Sequence, residues 1–129
     1  MKKRLYVLRD GQPVATDDAL EWGNWFTSSA AERSVAVTKL LDQGKVHTRV
    51  STCFLGVDHD WTGAEHPILW ETAIFYSAPE RDVCIERRYA SRLDAIAGHH
   101  RVVAEVVERI ATSLGRQPEA IFEIDREAN

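Results

Sequence analysis

The chain has 129 residues, of which 44% are hydrophobic and 28% charged, with a formal net charge of −4. That length suits one domain, which can bury roughly two-thirds of the surface its unfolded chain exposes and so needs no disulfide or metal staple. The composition excludes a disordered or collagen-like chain, and the acidic balance speaks against direct nucleic-acid binding, which leaves a basic footprint.

The basic start Met1–Lys2–Lys3–Arg4 is not followed by the long apolar run of a signal peptide, and no stretch reaches the roughly 18–20 apolar residues of a membrane span. A cytoplasmic protein without membrane contact is expected. Residues 4–15 predict a strand and a turn at Asp10–Gly11, with Pro13 discouraging a central strand. Thr16, Asp17 and Asp18 then offer N-caps for a helix over 18–30. Ala19, Trp22, Phe26 and Ala30 recur at helical spacing, with Trp25 beside them. This aromatic stripe reads as core packing; left exposed, it would make Trp22 and Trp25 partner-binding residues.

Residues 33–41 and 46–57 are β-rich runs around Asp42–Gln43–Gly44–Lys45, a hairpin signal. A third run covers 67–76, a polar turn 77–82 and a fourth run 83–89. Four consecutive runs with short links predict an antiparallel meander. Ser91, with Asp94 three residues on, opens a long helix that Gly115 stops, with Pro118 just beyond. The fold class is α+β: a four- to five-stranded antiparallel meander sheet, a short N-terminal helix and a long C-terminal helix. Residues 1–115 form the single domain in this reading. Residues 116–129 are a polar tail in which Ala120–Ile124 docks back as a short strand or turn.

Side chains alternate along strands, which sorts the sheet into two faces. Val35, Val37, Leu41, Val50, Phe54, Ile68, Trp70, Ile74, Val83 and Ile85 can share an apolar face that should carry a helix. The other face is mixed. It gathers Ala36, Leu40, Cys53, Leu55, Val57, Leu69, Ala73, Phe75 and Cys84 with His47, Arg49, Ser51, His59, Glu71, Glu86 and Arg88.

The chemistry concentrates in FLGVDHDWTGAEHPILWET, residues 54–72, where two histidines and four carboxylates stand between apolar strands. Glu71 has apolar residues on both sides, and a carboxylate there is costly unless paired or exposed. A symmetric hairpin places it opposite Arg88, so one reading is a cross-strand ion pair and the other a ligand or catalytic carboxylate. Asp58, His59 and Asp60 end a strand and read as a site or as turn chemistry. His66 precedes Pro67 and reads as extended and solvated.

The third piece is Gly98–His99–His100, on a helix whose apolar stripe is Leu93, Ile96, Val103, Val107, Ala111 and Leu114. His100 falls near the centre of that stripe and His99 at its edge. A glycine within a helix costs about 1 kcal/mol against alanine, so Gly98 suggests a close crossing of helix and strand. His59, Glu71 and His99, with Asp58 as a spare, compose a 2-His-1-carboxylate set suited to zinc, iron or manganese. Without a divalent metal, the same residues make an acid–base catalytic set supported by Asp58 and Arg88. Cys53 and Cys84 lie on separate strands and read as buried thiols rather than a disulfide or zinc motif. No nucleophile elbow and no phosphate-cradling glycine loop occurs.

Glu21–Trp22–x–x–Trp25–Phe26, Ser51–Thr52–x–Phe54–Leu55–Gly56–x–Asp58–His59, Glu71–Thr72–x–Ile74–Phe75, Arg88–Tyr89 and Ala97–Gly98–His99 follow in order. From about Tyr6 to Val107 this string resembles small uncharacterised proteins of tailed bacteriophages and prophages. Ser51–Thr52–Cys53 is more polar than the usual strand, and the tail after Leu114 is particular to this chain. The group has no established activity, so it assigns no residue a role. The resemblance implies a viral accessory protein acting in the cytoplasm of a bacterial host. It also implies a host or phage protein as partner, with inhibition of a host defence such as CRISPR as one form of that action. A homodimer is also compatible with an exposed edge strand. Two function classes stand: a non-enzymatic binder of a host or viral macromolecule, and a small metal-dependent or acid–base enzyme.

Overall fold

The computed structural model describes residues 4–60, 62, 66–77 and 83–126. Strand β1 (Leu5–Arg9) turns into β2 (Gln12–Thr16) through Asp10 and Gly11, whose φ angles of 52° and 77° are the two positive values a tight hairpin turn requires. Asp18 caps α1 (Ala19–Ser28), its carboxylate accepting from Leu20 N and Glu21 N at 3.0 Å each. One short helix, α2 (Ala30–Arg33), leads into β3 (Ser34–Asp42), and Gln43–Gly44 repeat the positive-φ turn into β4 (Lys45–Phe54). Then come β5 (Trp70–Tyr76), β6 (Val83–Tyr89), α3 (Arg92–Leu114) and β7 (Glu119–Asp125). Ser91 Oγ accepts from Asp94 N at the start of α3, and Gly115 ends it in the left-handed conformation at φ 73°.

The protein is α+β. Its main sheet has five antiparallel strands in the order β6-β5-β4-β3-β7, and β1–β2 form a separate two-stranded ribbon. The β3–β6 meander has the connectivity expected from the four runs. The segment read as a docking strand or turn within the tail is β7, which pairs antiparallel with β3 and closes its outer edge. The ribbon joins the sheet's end through Tyr6 N, which donates to Gly56 O at 2.8 Å, and a bridge between Leu5 and Val57. Beyond Ser77, the turn expected over 77–82 lies outside the described residues. So do Trp61 and residues 63–65 of the histidine-rich stretch. Among the described residues no helix is long and apolar enough to cross a membrane.

Helix α3 packs on the face that holds Val50, Phe54, Trp70 and Ile74. Fully burying each such side chain stabilises by roughly 1.5–3 kcal/mol. Three details of the expected faces are corrected. In β3, Ala36 and Leu40 enter the core and Thr38 joins them, whereas Val37 pairs with Ser51 on the opposite face and Leu41 stays half-buried. The cause is a bulge between Ser34 and Ala36, which reverses the phase while leaving Val35 buried in the Phe54 cluster. In β6 the pairing steps from Thr72–Arg87 to Ala73–Ile85, skipping one residue, so Ile85 leaves the core side and is 51% exposed. In α3 the buried line is Ala95, Gly98, His99, Val102, Val106 and Ile110, flanked by Val103. The helix is rotated so that His99, not His100, is central, and Leu93 is 58% exposed. It turns this way because Gly98 seats the helix against the Tyr89 ring, where an added Cβ would overlap Cε1, Cζ and the hydroxyl.

Candidate functional site

The sheet separates two of the three predicted metal ligands, Glu71 and His99. Glu71 lies between the buried Trp70 and Thr72, so it points away from α3. There it pairs with Arg88, as the hairpin symmetry suggests: the strand register sets the two opposite, and Arg88 Nε donates to Glu71 Oε2 at 3.0 Å. His99 stands on the other side of the sheet, under α3. Among the described residues no group of three His, Cys, Asp or Glu is placed to hold a metal ion. The His59–Glu71–His99 set, as metal site or catalytic cluster, is therefore not assembled.

His99 belongs to a chain of buried hydroxyls. Its Nε2 is 2.8 Å from Thr38 Oγ1 and its Nδ1 is 2.7 Å from Thr52 Oγ1. Thr52 Oγ1 lies 2.6 Å from Thr72 Oγ1, which lies 3.0 Å from the Tyr89 hydroxyl. Burial pulls the His99 pKa down to about 4; the neighbouring His100 pulls the same way and Asp125 opposes. The ring is therefore neutral at pH 7, donating from one nitrogen and accepting at the other. One threonine accepts from it and the other donates to it. Burial also pushes the Tyr89 hydroxyl pKa up. Every member is occupied with its neighbours, so the chain fixes the position of α3 over the strands. A signal for it was present in the sequence: Thr52 and Thr72 keep phase with Val50, Phe54, Trp70 and Ile74.

Asp58 is fully buried and works as a loop staple. Its Oδ1 accepts from Asp60 N at 2.8 Å and from Ile68 N at 2.9 Å, and its backbone carbonyl accepts from the Arg4 guanidinium. His59 N donates to Ile68 O at 2.9 Å, and its Nδ1 donates to Val57 O at 2.8 Å. The Asp-His-Asp run thus clamps residues 57–60 against residue 68. His100 is exposed and meets Asp125 at 3.1 Å, tying α3 to β7. Cys53 sits beside Glu71; burial, then that carboxylate, push its thiol pKa up, so it is no thiolate nucleophile.

Trp22 and Trp25 are half-buried and serve the packing of α1. Trp22 Nε1 donates to Tyr6 O at 3.1 Å and Gly56 O at 2.9 Å, which locks α1 onto the ribbon. Gly56 takes φ 76°, and a Cβ there would press on the Trp22 ring at 3.1 Å. Trp25 meets Phe54 edge-on with ring centroids 6.0 Å apart, and Phe54 meets Trp70 at 5.3 Å.

What this packing leaves open is a cleft of about 920 Å³ between the ribbon, the end of the sheet and the start of α3. Tyr6, Leu8 and Leu93 supply apolar surface over a floor of the buried Phe54, Leu69 and Trp70, and Arg33, Arg92 and Arg126 line the cleft together with Asp10 and Glu32. The sequence carried no local signal for it, since its walls come from six separate stretches of chain. Neither a protein-family model, nor a curated protein, nor a solved structure matches this chain.

Proposed function

We propose that the protein is a non-enzymatic binder of a protein partner, and that the cleft beneath the β1–β2 ribbon is where the partner is held. The cleft itself carries the reading. Its volume of about 920 Å³ lies at the upper end of the range typical of ligand-binding sites, and its apolar surface is edged by a few charged groups. The groups that would do acid–base work support binding over catalysis through their own bonds. Glu71 is paired with Arg88, His99 with two threonines, and His59 with the Val57 carbonyl. The resemblance to phage accessory proteins makes a bacterial host protein the first partner to seek, with a component of a defence system such as CRISPR foremost.

Leu93 offers the cleanest test, because it lines the cleft yet is 58% exposed. Leu93→Gln removes apolar surface from the cleft and leaves the core untouched. Capture of one host protein by the wild-type chain from bacterial lysate, at least tenfold reduced for Leu93→Gln, is the expected result. Capture of no specific protein, or equal capture by both chains, would overturn the reading.

A further inference from the structure

We infer that the cleft reads a carboxylate beside an apolar side chain, so that the bound element is an acidic, apolar segment of the partner, with Arg33 and Arg126 as the reading groups. This rests on the cleft being the binding site.

Both guanidinium groups are held in place by neutral acceptors. Arg33 donates from Nε to Ser29 Oγ at 3.1 Å and from Nη2 to Phe26 O at 3.0 Å, with its Cζ 3.6 Å from the centre of the Phe26 ring. Arg126 donates from Nε to Ser34 O at 2.7 Å and from Nη2 to Ala31 O at 2.9 Å, while its own backbone N–H bonds Val35 O. A guanidinium has five N–H donors, so each arginine keeps its Nη1 pair after making these bonds. Hydroxyl and carbonyl acceptors fix a cation without cancelling its charge. The result is two pinned cations in one cleft. The side-chain entropy usually lost on binding has already been spent, and carboxylate is the anion whose planar geometry suits the guanidinium fork.

The charge distribution favours the same occupant. Three arginines and two carboxylates line the cleft, a local excess of one positive charge on a chain whose net charge is −4. An acidic segment is therefore repelled by most of the surface and accepted here. The apolar part of the occupant is set by Leu8 and Leu93, above the buried Leu69 and Trp70. Asp10 and Glu32 disfavour a segment with carboxylates along its whole length and so select one in which acid and apolar residue alternate.

The test uses the full ¹⁵N-labelled chain and two peptides, N-acetyl-Leu-Phe-Asp-amide and its Asn counterpart, at millimolar concentration. The Asp peptide should shift the Arg33 and Arg126 Nε–H and the Leu93 amide resonances, and should bind at least tenfold more tightly than the Asn peptide. Arg33→Gln and Arg126→Gln should each weaken it about tenfold. Because Arg126 also fastens the end of β7, Arg126→Lys, which keeps the charge and loses the fork, is measured beside it and should weaken binding less than Gln does. Equal affinity for the two peptides, or displacement of the Asp peptide by inorganic phosphate at equal concentration, would overturn the carboxylate assignment. If no peptide binds while Leu93→Gln still abolishes capture of a host protein, the assignment falls and the binding reading stands. If both fail, the cleft is not the site.

Discussion

Alanine at position 98 separates two opposite expectations. In an ordinary helix interior Gly→Ala stabilises by about 1 kcal/mol, because alanine has less backbone freedom to lose. Here the new Cβ would fall within the contact radius of Cε1, Cζ and the hydroxyl of Tyr89, a ring that is 9% exposed. Relieving that overlap means displacing the ring or lifting α3 from the sheet, at about 1–3 kcal/mol for an overpacked core. A displaced ring also gives up the 3.0 Å bond between its hydroxyl and Thr72, about 1 kcal/mol more. Set against the propensity gain, Gly98→Ala should destabilise by about 1–3 kcal/mol, which for a chain of this size lowers Tm by roughly 4–12 °C. Urea unfolding followed by tryptophan fluorescence, with calorimetry for Tm, measures it. In a Tyr89→Leu background the same substitution should turn neutral or stabilising. A single Gly98→Ala variant more stable than the parent would refute the close crossing.

The His99 imidazole predicts a pH dependence. Its folded pKa of about 4 lies below the ordinary 6.5, so the unfolded chain takes up the proton first as pH falls. Stability is then full above pH 6.5 and declines between 6.5 and 4, by roughly 3 kcal/mol in all. Urea midpoints at pH 7.5, 5.5 and 4.5 should show that decline for the parent and a shallower one for His99→Leu; parallel profiles would exclude His99 as its source. Asp58→Ala leaves Asp60 N and Ile68 N without their carboxylate acceptor and should cost about 2–4 kcal/mol in urea unfolding, whereas a surface role would cost nearly nothing. Glu71→Gln keeps the shape and breaks only a half-exposed ion pair, so a stability loss of about 1 kcal/mol or less is expected, and a larger loss would mean Glu71 has a further structural role.

The legible parts of the fold were those set by neighbouring residues. Asp10–Gly11 and Gln43–Gly44 each place a positive-φ pair between two strands. Asp18, Ser91 and Gly115 cap helices by bonds within a few residues. The Glu71–Arg88 register followed from hairpin symmetry alone. What was not legible depended on steps between distant pieces. One extra residue in β3 reversed the face of Thr38, and with it the partner of a histidine 61 positions away. The rotation of α3 was hidden because Val103 and Val107 fit an apolar stripe as well as Val102 and Val106 do. The side facing the sheet was decided by Gly98 against Tyr89 and by threonine hydroxyls that only the folded strands align. Arg126 reaches residues 92 and 95 positions earlier, beyond any local pattern.

The placement of β7 has a consequence for how the chain is made. Strand β3 is synthesised early, yet the strand that covers its outer edge begins only at Glu119. At about 5–20 residues per second a ribosome takes roughly 4–15 s to get from Asp42 to Glu119. During that interval one side of β3 presents unpaired backbone groups that a second nascent chain can extend. Lys39 stands in the middle of this edge, opposite Ile121 in the finished sheet and 3.1 Å from Glu123. A lysine at that position discourages pairing between chains before β7 arrives and gains an ion-pair partner once it does.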